Sequence, residues 1–274
     1  MLNVLSFKNI SVKFYNITKK LEINKEVLDT SKFNEKTILL VVNYFGFPSN
    51  WNFINQIKNQ TGCTIIEDNC HTLHSTYVNK ELGSYGDISF NSLRKVLPVL
   101  SGSVVTSNNN KYIFPKNKSK IPKISQIMYS LRGFKKLSKN SNKNAFYANH
   151  TYSGIDVFSE SIHSNYSFDL ENIKTMRMNN FRFWEKFTNK RGLKKIINIE
   201  NMNNVIPYAF PCISSNSAML SKWIDWGFKN NIVIIRWPNS PNNTITKNNP
   251  LNNVLLFPVN HQYNLNSHVI SYEF

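Results

Sequence analysis

An α/β domain followed by a smaller α+β domain is the fold class that this sequence predicts, on three observations. Residues 38–42 (ILLVV) and 64–67 (TIIE) are apolar, β-branched runs flanking a segment, 52–59, whose apolar residues fall at helical spacing. Such a β-α-β unit has a right-handed crossover, which implies a parallel sheet. Residues 169–188 then read as one long amphipathic helix, ahead of a strand, helix and strand at 208–213, 217–228 and 232–235.

Within the first domain, 88–91 and 103–106 are two further short strands that bracket a loop containing Lys95. In the second, the long helix opens with Asp169 and Glu171, acids that suit the positive end of the helix dipole. Its aromatic stripe of Phe181, Phe183, Trp184 and Phe187 is expected in the core. Gly227 reads as a stop signal for the helix at 217–228. Residues 111–143 lie between the domains and contain PKNKSKIPK and FKKLSKNSNKN; prolines and polar residues make this a connection, with one apolar piece at 124–131 worth a helical turn or two.

At 274 residues with 41% hydrophobic and 13% aromatic content, the chain is a globular mixture able to bury a substantial core. Its formal charge of +17 would ordinarily raise nucleic-acid binding. The charge is mostly dispersed, however, and Asn makes up roughly one residue in six, so biased coding accounts better for the Lys, Asn and Ile excess. The lysines of the connection and Arg132 are solvated surface, or a general field that attracts a phosphate-bearing ligand or an anionic surface. Cys63, Cys70 and Cys212 have neither metal-ligand spacing nor the count of a disulfide framework, which points to a reducing compartment. No apolar run reaches the roughly 18 residues of a membrane helix, and GxGxxG, GxxxxGK[ST] and HExxH are absent, so the expectation is a cytoplasmic protein without a metal site.

The chemistry concentrates in TIIEDNCHTLHS and GDISFNSLRKVLPVLSGSVVT, residues 64–75 and 86–106. Asp68 closes an apolar strand, at the carboxyl end where open α/β sheets bind ligands, and Lys95 stands in the loop before a second apolar run. A lysine amine that can hold an aldehyde as a Schiff base, with a carboxylate that keeps a pyridine nitrogen protonated, is the residue pair that pyridoxal 5'-phosphate (PLP) requires. Spacing alone does not single out that use, since an acid after a strand and a lysine in a loop are common in α/β proteins.

The flanking wording is more specific. VVNYFGFPSN (41–50), IIEDNCHTLHS (65–75), LGSYGD (82–87) and SLRKVLPV (92–99) occur in order at short separations, and together they resemble the DegT/DnrJ/StrS family of sugar aminotransferases. RMNNFRFWEKF (177–187), VIPYAFPCI (205–213), IVIIRWP (232–238) and LLFPVNHQYN (255–264) look similar too, so the resemblance runs from about residue 8 to the C-terminus. It implies a partial large domain of the PLP-dependent transferase fold (aspartate aminotransferase-like, fold type I) over 1–115, a basic connection over 116–165 and a C-terminal α+β small domain over 166–274. By the same resemblance Lys95 is the Schiff-base lysine, Asp68 contacts the pyridine nitrogen, His71 lies near the ring hydroxyl and Ser92 helps to hold the phosphate. His71 also reads as a structural histidine and Ser92 as a turn cap.

The family further implies transfer of an amino group, from glutamate, to a keto group on a nucleotide-linked sugar destined for surface polysaccharide, by a homodimer. Two departures oppose this. The glycine-rich stretch after the lysine is reduced to Ser101, Gly102 and Ser103. The Gly-Thr turn that binds the phosphate and the aromatic residue that stacks on the ring are not found, and the opening residues resemble only a later strand of the family, ending near Asn16. The alternative expectation is therefore an N-terminally truncated, inactive remnant or a non-catalytic assembly partner.

Overall fold

The computed structural model describes residues 10–72, 74–97, 99–109, 111–114, 119–121, 155–165, 169–199, 202, 204–214, 216–237, 253–262 and 264–265. Strand β1 (Ile38–Val42), helix α1 (Trp51–Thr61) and strand β2 (Thr64–Asn69) form the expected β-α-β unit. The Asn50 side chain caps α1 by accepting from Phe53 N, and Gly62 ends it in the left-handed region. A short hairpin, β3 (Thr76–Tyr77) and β4 (Lys80–Glu81), precedes β5 (Ile88–Asn91) and β6 (Val105–Ser107). The sheet order is β1-β2-β5-β6, with the first three strands parallel and β6 antiparallel to β5. Trp51, Ile54 and Ile57 on one face of α1 bury against Leu39, Val41 and Ile65 of the sheet.

The second unit contains α2 (Val157–Asn165), α3 (Leu170–Asn189), β7 (Leu193–Lys195), β8 (Ala209–Ser214), α4 (Ser217–Lys229), β9 (Ile235–Arg236) and β10 (Val254–Pro258). Its strands form an antiparallel sheet in the order β7-β8-β10-β9. Asp169 caps α3, and Phe181, Trp184 and Phe187 face a cluster that also holds Phe210, Trp223, Trp226 and Phe257. Each such ring removed from water contributes about 2–3 kcal/mol, and the Trp184 indole donates to Pro258 O at 2.7 Å, so its polar edge is satisfied as well. The same cluster takes in Phe45 and Phe47 from the turn after β1, and Tyr208 N donates to Phe45 O at 2.7 Å. The two sheets thus share a core at the carboxyl end of β1.

Several sequence expectations are corrected. Residues 10–16 form no strand; the nearest pairing is the bridge Ile17 to Ile23, and the Tyr15 hydroxyl donates to Leu40 O at 2.7 Å. The fourth strand begins at Val105 rather than residue 103, because Gly102 turns the chain at φ +114°. Of 232–235 only Ile235 pairs in the sheet, since Ile232 N is bonded to Gly227 O and Ile232 and Ile234 are buried beside α4. Gly227 does not stop α4, which runs on to Lys229 while Asn231 makes the left-handed turn. Glycine is required at 227 for closeness, as a Cβ there would lie 2.6 Å from Ile232 O. The apolar piece at 124–131 and most of the lysine-rich connection lie outside the described residues. Of the described parts, Lys120 bridges to Asp156, and residues 155–165 return to pack on the lysine loop.

Candidate functional site

The carboxyl ends of the parallel strands converge on the residues singled out from the sequence. Asp68 lies in the last turn of pleat of β2, paired with Val42 and Phe90, and is half-buried. One of its oxygens accepts from Cys70 N at 2.9 Å. Its negative charge is felt by Tyr44 and Cys70: burial pushes the Tyr44 hydroxyl up to about 12, helped by Asp68, and the Cys70 thiol also to about 12, with Asp68 again contributing. The Cys70 thiol lies in the field of Lys95 and Arg94 as well, acting in the opposite sense. Asp68 thus lies near the end of β2 and Lys95 just after its parallel neighbour β5, and the charges of both act on Cys70.

Lys95 ends a 3-10 turn, Leu93–Lys95, that follows β5 directly. The turn is held from behind. Leu93, Leu97 and Val99 pack with Ile155 and Ile162, and Leu93 N donates to Gly102 O at 3.1 Å. Asp156 caps α2 by accepting from Ser159 N, and it also accepts from the Ser101 and Ser159 hydroxyls. Burial opposes the Asp156 charge, but these hydrogen bonds outweigh it and hold its carboxyl below the ordinary range. Ser159, fully buried, takes Leu100 N and Ser101 N on its hydroxyl oxygen. A rigid clamp thus replaces the glycine-rich stretch. Gly102 supplies the one positive φ in it, and a Cβ at that residue would meet Ile155 at 2.8 Å.

His71, in the turn after β2, is sandwiched between two rings. Tyr208 stacks on it at 4.6 Å and 6°, and Phe45 at 5.5 Å and 15°. Burial, with a smaller push from Lys95, lowers its pKa to about 3, so the imidazole is neutral. Its Nδ1 is buried without a hydrogen-bond partner among the described residues. Ser92 is half-buried ahead of the lysine turn, and its hydroxyl makes no cap there, which corrects the turn-cap reading. All four sequence-selected residues thus sit at one end of one sheet.

Sequence reasoning assigned no role to the aromatic wall. Phe45 and Tyr208 flank the histidine, and behind Phe45 lie Trp237, edge-on to it at 4.6 Å, and Tyr44, 5.2 Å from Trp237. YFGFP and IPYAF were both visible as similar segments, yet nothing local says that their rings meet. Beneath the site, the fully buried Glu67 accepts Asn43 Nδ2 and Gly83 N on one oxygen and Tyr85 N and Gly86 N on the other. Asn43 also donates to Asn69 Oδ1 at 2.8 Å, tying the ends of β1 and β2 together.

The model of the DegT/DnrJ/EryC1/StrS aminotransferase family matches residues 7–116, the stretch that carries Asp68, His71, Ser92 and Lys95. That segment is similar to the family over about two fifths of the chain. The family match at sequence level ends there, short of the C-terminal extent that the resemblance suggested. A GDP-4-keto-6-deoxy-D-mannose 3-dehydratase of Escherichia coli O55:H7 is 30% identical over 107 residues, 38% of this chain and 28% of the relative. This stretch is therefore under a third of the length of that curated relative. Beyond it the likeness is one of fold. A DegT/DnrJ/EryC1/StrS aminotransferase from Brucella abortus superposes with a TM-score of 0.61 at 14% identity, covering 97% of this chain and 73% of that one. The E. coli GDP-4-keto-6-deoxy-D-mannose-3-dehydratase with bound hydrated PLP gives 0.63 at 18%, covering 95% and 72%. The chain thus has a partial form of the fold of these family members. Among the described residues no His, Cys, Asp and Glu group could hold a metal ion, and no helix is long and apolar enough to cross a membrane.

Proposed function

We propose that this chain is a PLP-dependent aminotransferase, or a closely related enzyme, acting on a nucleotide-linked keto-sugar in the making of surface polysaccharide. The observation that carries this is the placement of Asp68, His71 and Lys95 together at the carboxyl ends of the parallel strands in the family-matched segment. The residues fit the cofactor: the orphaned His71 Nδ1 is a free hydrogen-bond position that the ring hydroxyl of PLP satisfies. Lys95 would hold the aldehyde, Asp68 the pyridine nitrogen, and Ser92 the phosphate. When bound, the group supplies an electron sink for carbanion charge at the amino-bearing carbon.

Each side chain then has a distinct task. Lys95 Nζ would serve as general base and then general acid at the substrate carbon. Asp68 would pair with the ring nitrogen. His71, kept neutral by burial, gives a hydrogen bond without adding a charge. Phe45, Tyr208 and Trp237 keep water from that side. Glutamate as amino donor, a homodimer, a cytoplasmic location and the division at 115 and 165 belong to the same reading.

Visible absorption of the purified protein titrated with PLP tests it. A saturable band absent from free PLP, lost in Lys95→Ala and weakened in Asp68→Ala, is expected; identical spectra for wild type and Lys95→Ala would leave the site without its function.

A further inference from the structure

Away from this site, the outer side of α3 carries a cavity of about 410 Å³ lined by Asn179, Arg182, Phe183, Lys186, Phe187, Lys190 and Arg191. Four of the seven are cationic and none is acidic. Arg182, Lys186 and Lys190 recur one helical turn apart, so their charges line a strip roughly 12 Å long. Cations near a helix C-terminus complement the dipole only within the last turn, and Arg182 lies well before it. Glu185, the acid on the same stretch of helix, is bound to Lys195 and does not neutralise the strip. Phe183 is half-buried and stacks at 5.7 Å on Phe187, which closes the floor of the cavity beside the Arg191 guanidinium.

We infer that this cavity binds a nucleoside diphosphate or triphosphate, as a second anion site distinct from the Lys95 centre. The strip is too long for a single phosphate and suits consecutive phosphates, which guanidinium and ammonium groups hold by charge-assisted hydrogen bonds. Phe183 offers a ring against which a base stacks. The recess is open to solvent and about 410 Å³, the size of one nucleotide rather than of a strand that must track along a surface. The opposite, buried side of α3 is committed to the core through Ile173, Phe181 and Trp184, so ligand at the strip leaves the Lys95 site untouched.

Isothermal titration calorimetry with ADP and with inorganic pyrophosphate tests this. Both ligands bind saturably, and the triple variant Arg182→Ala, Lys186→Ala, Lys190→Ala weakens both at least tenfold. A control triple variant at Lys25, Lys32 and Lys36, which lowers net charge equally elsewhere, changes neither by more than about twofold. Phe183→Ala weakens ADP about tenfold while sparing pyrophosphate, which also shows that the variant is folded. Lys95→Ala leaves all of these values unchanged, so the inference stands or falls apart from the proposed transaminase chemistry. It is overturned if neither ligand saturates, if the two triple variants weaken binding alike, if Phe183→Ala weakens both ligands alike, or if a single-stranded oligonucleotide displaces ADP at equal phosphate concentration.

Discussion

The two ends of the parallel sheet treat a carboxylate in opposite ways. At the amino end, Asp87 is saturated: Lys58 Nζ at 2.7 Å and Asn109 Nδ2 at 2.8 Å meet one oxygen, and Ile65 N at 2.9 Å meets the other. At the carboxyl end, Asp68 accepts from the neighbouring Cys70 N and has no cation bound to it among the described residues. Burial acts against the charge of Asp87, but Lys58 and its other donors hold its carboxyl below the usual range. One acid is spent on holding strands together; the other is left with capacity for something else. Polar groups with bonding capacity left over, here Asp68 and the His71 Nδ1, lie at that same end of the sheet.

Substitutions sharpen this contrast, beginning with the largest expected effect. Asp87→Ala strands the Ile65 N–H and Lys58 together and lowers stability by about 2–3 kcal/mol in urea unfolding at pH 7. Because the folded pKa of Asp87 is depressed, its contribution is present above the unfolded value near 3.9 and disappears as pH falls through the folded one. The variant therefore has a shallower loss of stability below about pH 4 than wild type. Glu67→Gln places an amide nitrogen against backbone donors and costs on the order of 1–3 kcal/mol, since one carboxylate oxygen now serves two N–H groups with no replacement.

At the carboxyl end the effects on stability shrink and change character. His71 binds a proton in the unfolded chain near pH 6.5 but only at about 3 when folded, so its neutral burial stabilises the fold above pH 6.5 and this is lost as pH drops. His71→Phe keeps a ring between Phe45 and Tyr208 without a titrating nitrogen; its stability between pH 6.5 and 4, followed by circular dichroism, falls less steeply than that of wild type. Asp68→Asn retains an acceptor for Cys70 N and changes stability by less than about 0.5 kcal/mol, while its affinity for PLP falls at least tenfold. A stability loss there as large as that of Asp87→Ala would erase the contrast.

The strands and long helices were legible because their signals are local. The run ILLVV, the helical spacing of Trp51, Ile54 and Ile57, and the Asp169 cap each declare an element within a few residues. The hairpin of β3 and β4 was not, because Val78 and Asn79 both adopt positive φ without the usual glycine signal. Gly227 misled for a related reason: sequence shows that a side chain is missing, and only the fold shows whether conformation or closeness requires it. In the site, Asp68 and Lys95 could be chosen by residue type and position only together with the family-like wording of their flanks. The ring sandwich on His71 could not, since Phe45 leaves the first sheet and Tyr208 enters the second, and their meeting depends on how the sheets pack.

Reduction of the PLP-treated protein with borohydride, followed by peptide mass spectrometry, asks most directly whether Lys95 is the residue this sheet end was built around. A pyridoxyl group fixed on the peptide carrying Lys95 at near one per chain, and reduced in Asp68→Asn at the same sub-saturating PLP concentration, is the predicted result. Label scattered over surface lysines, with position 95 no more modified than Lys25 or Lys36, would contradict the account.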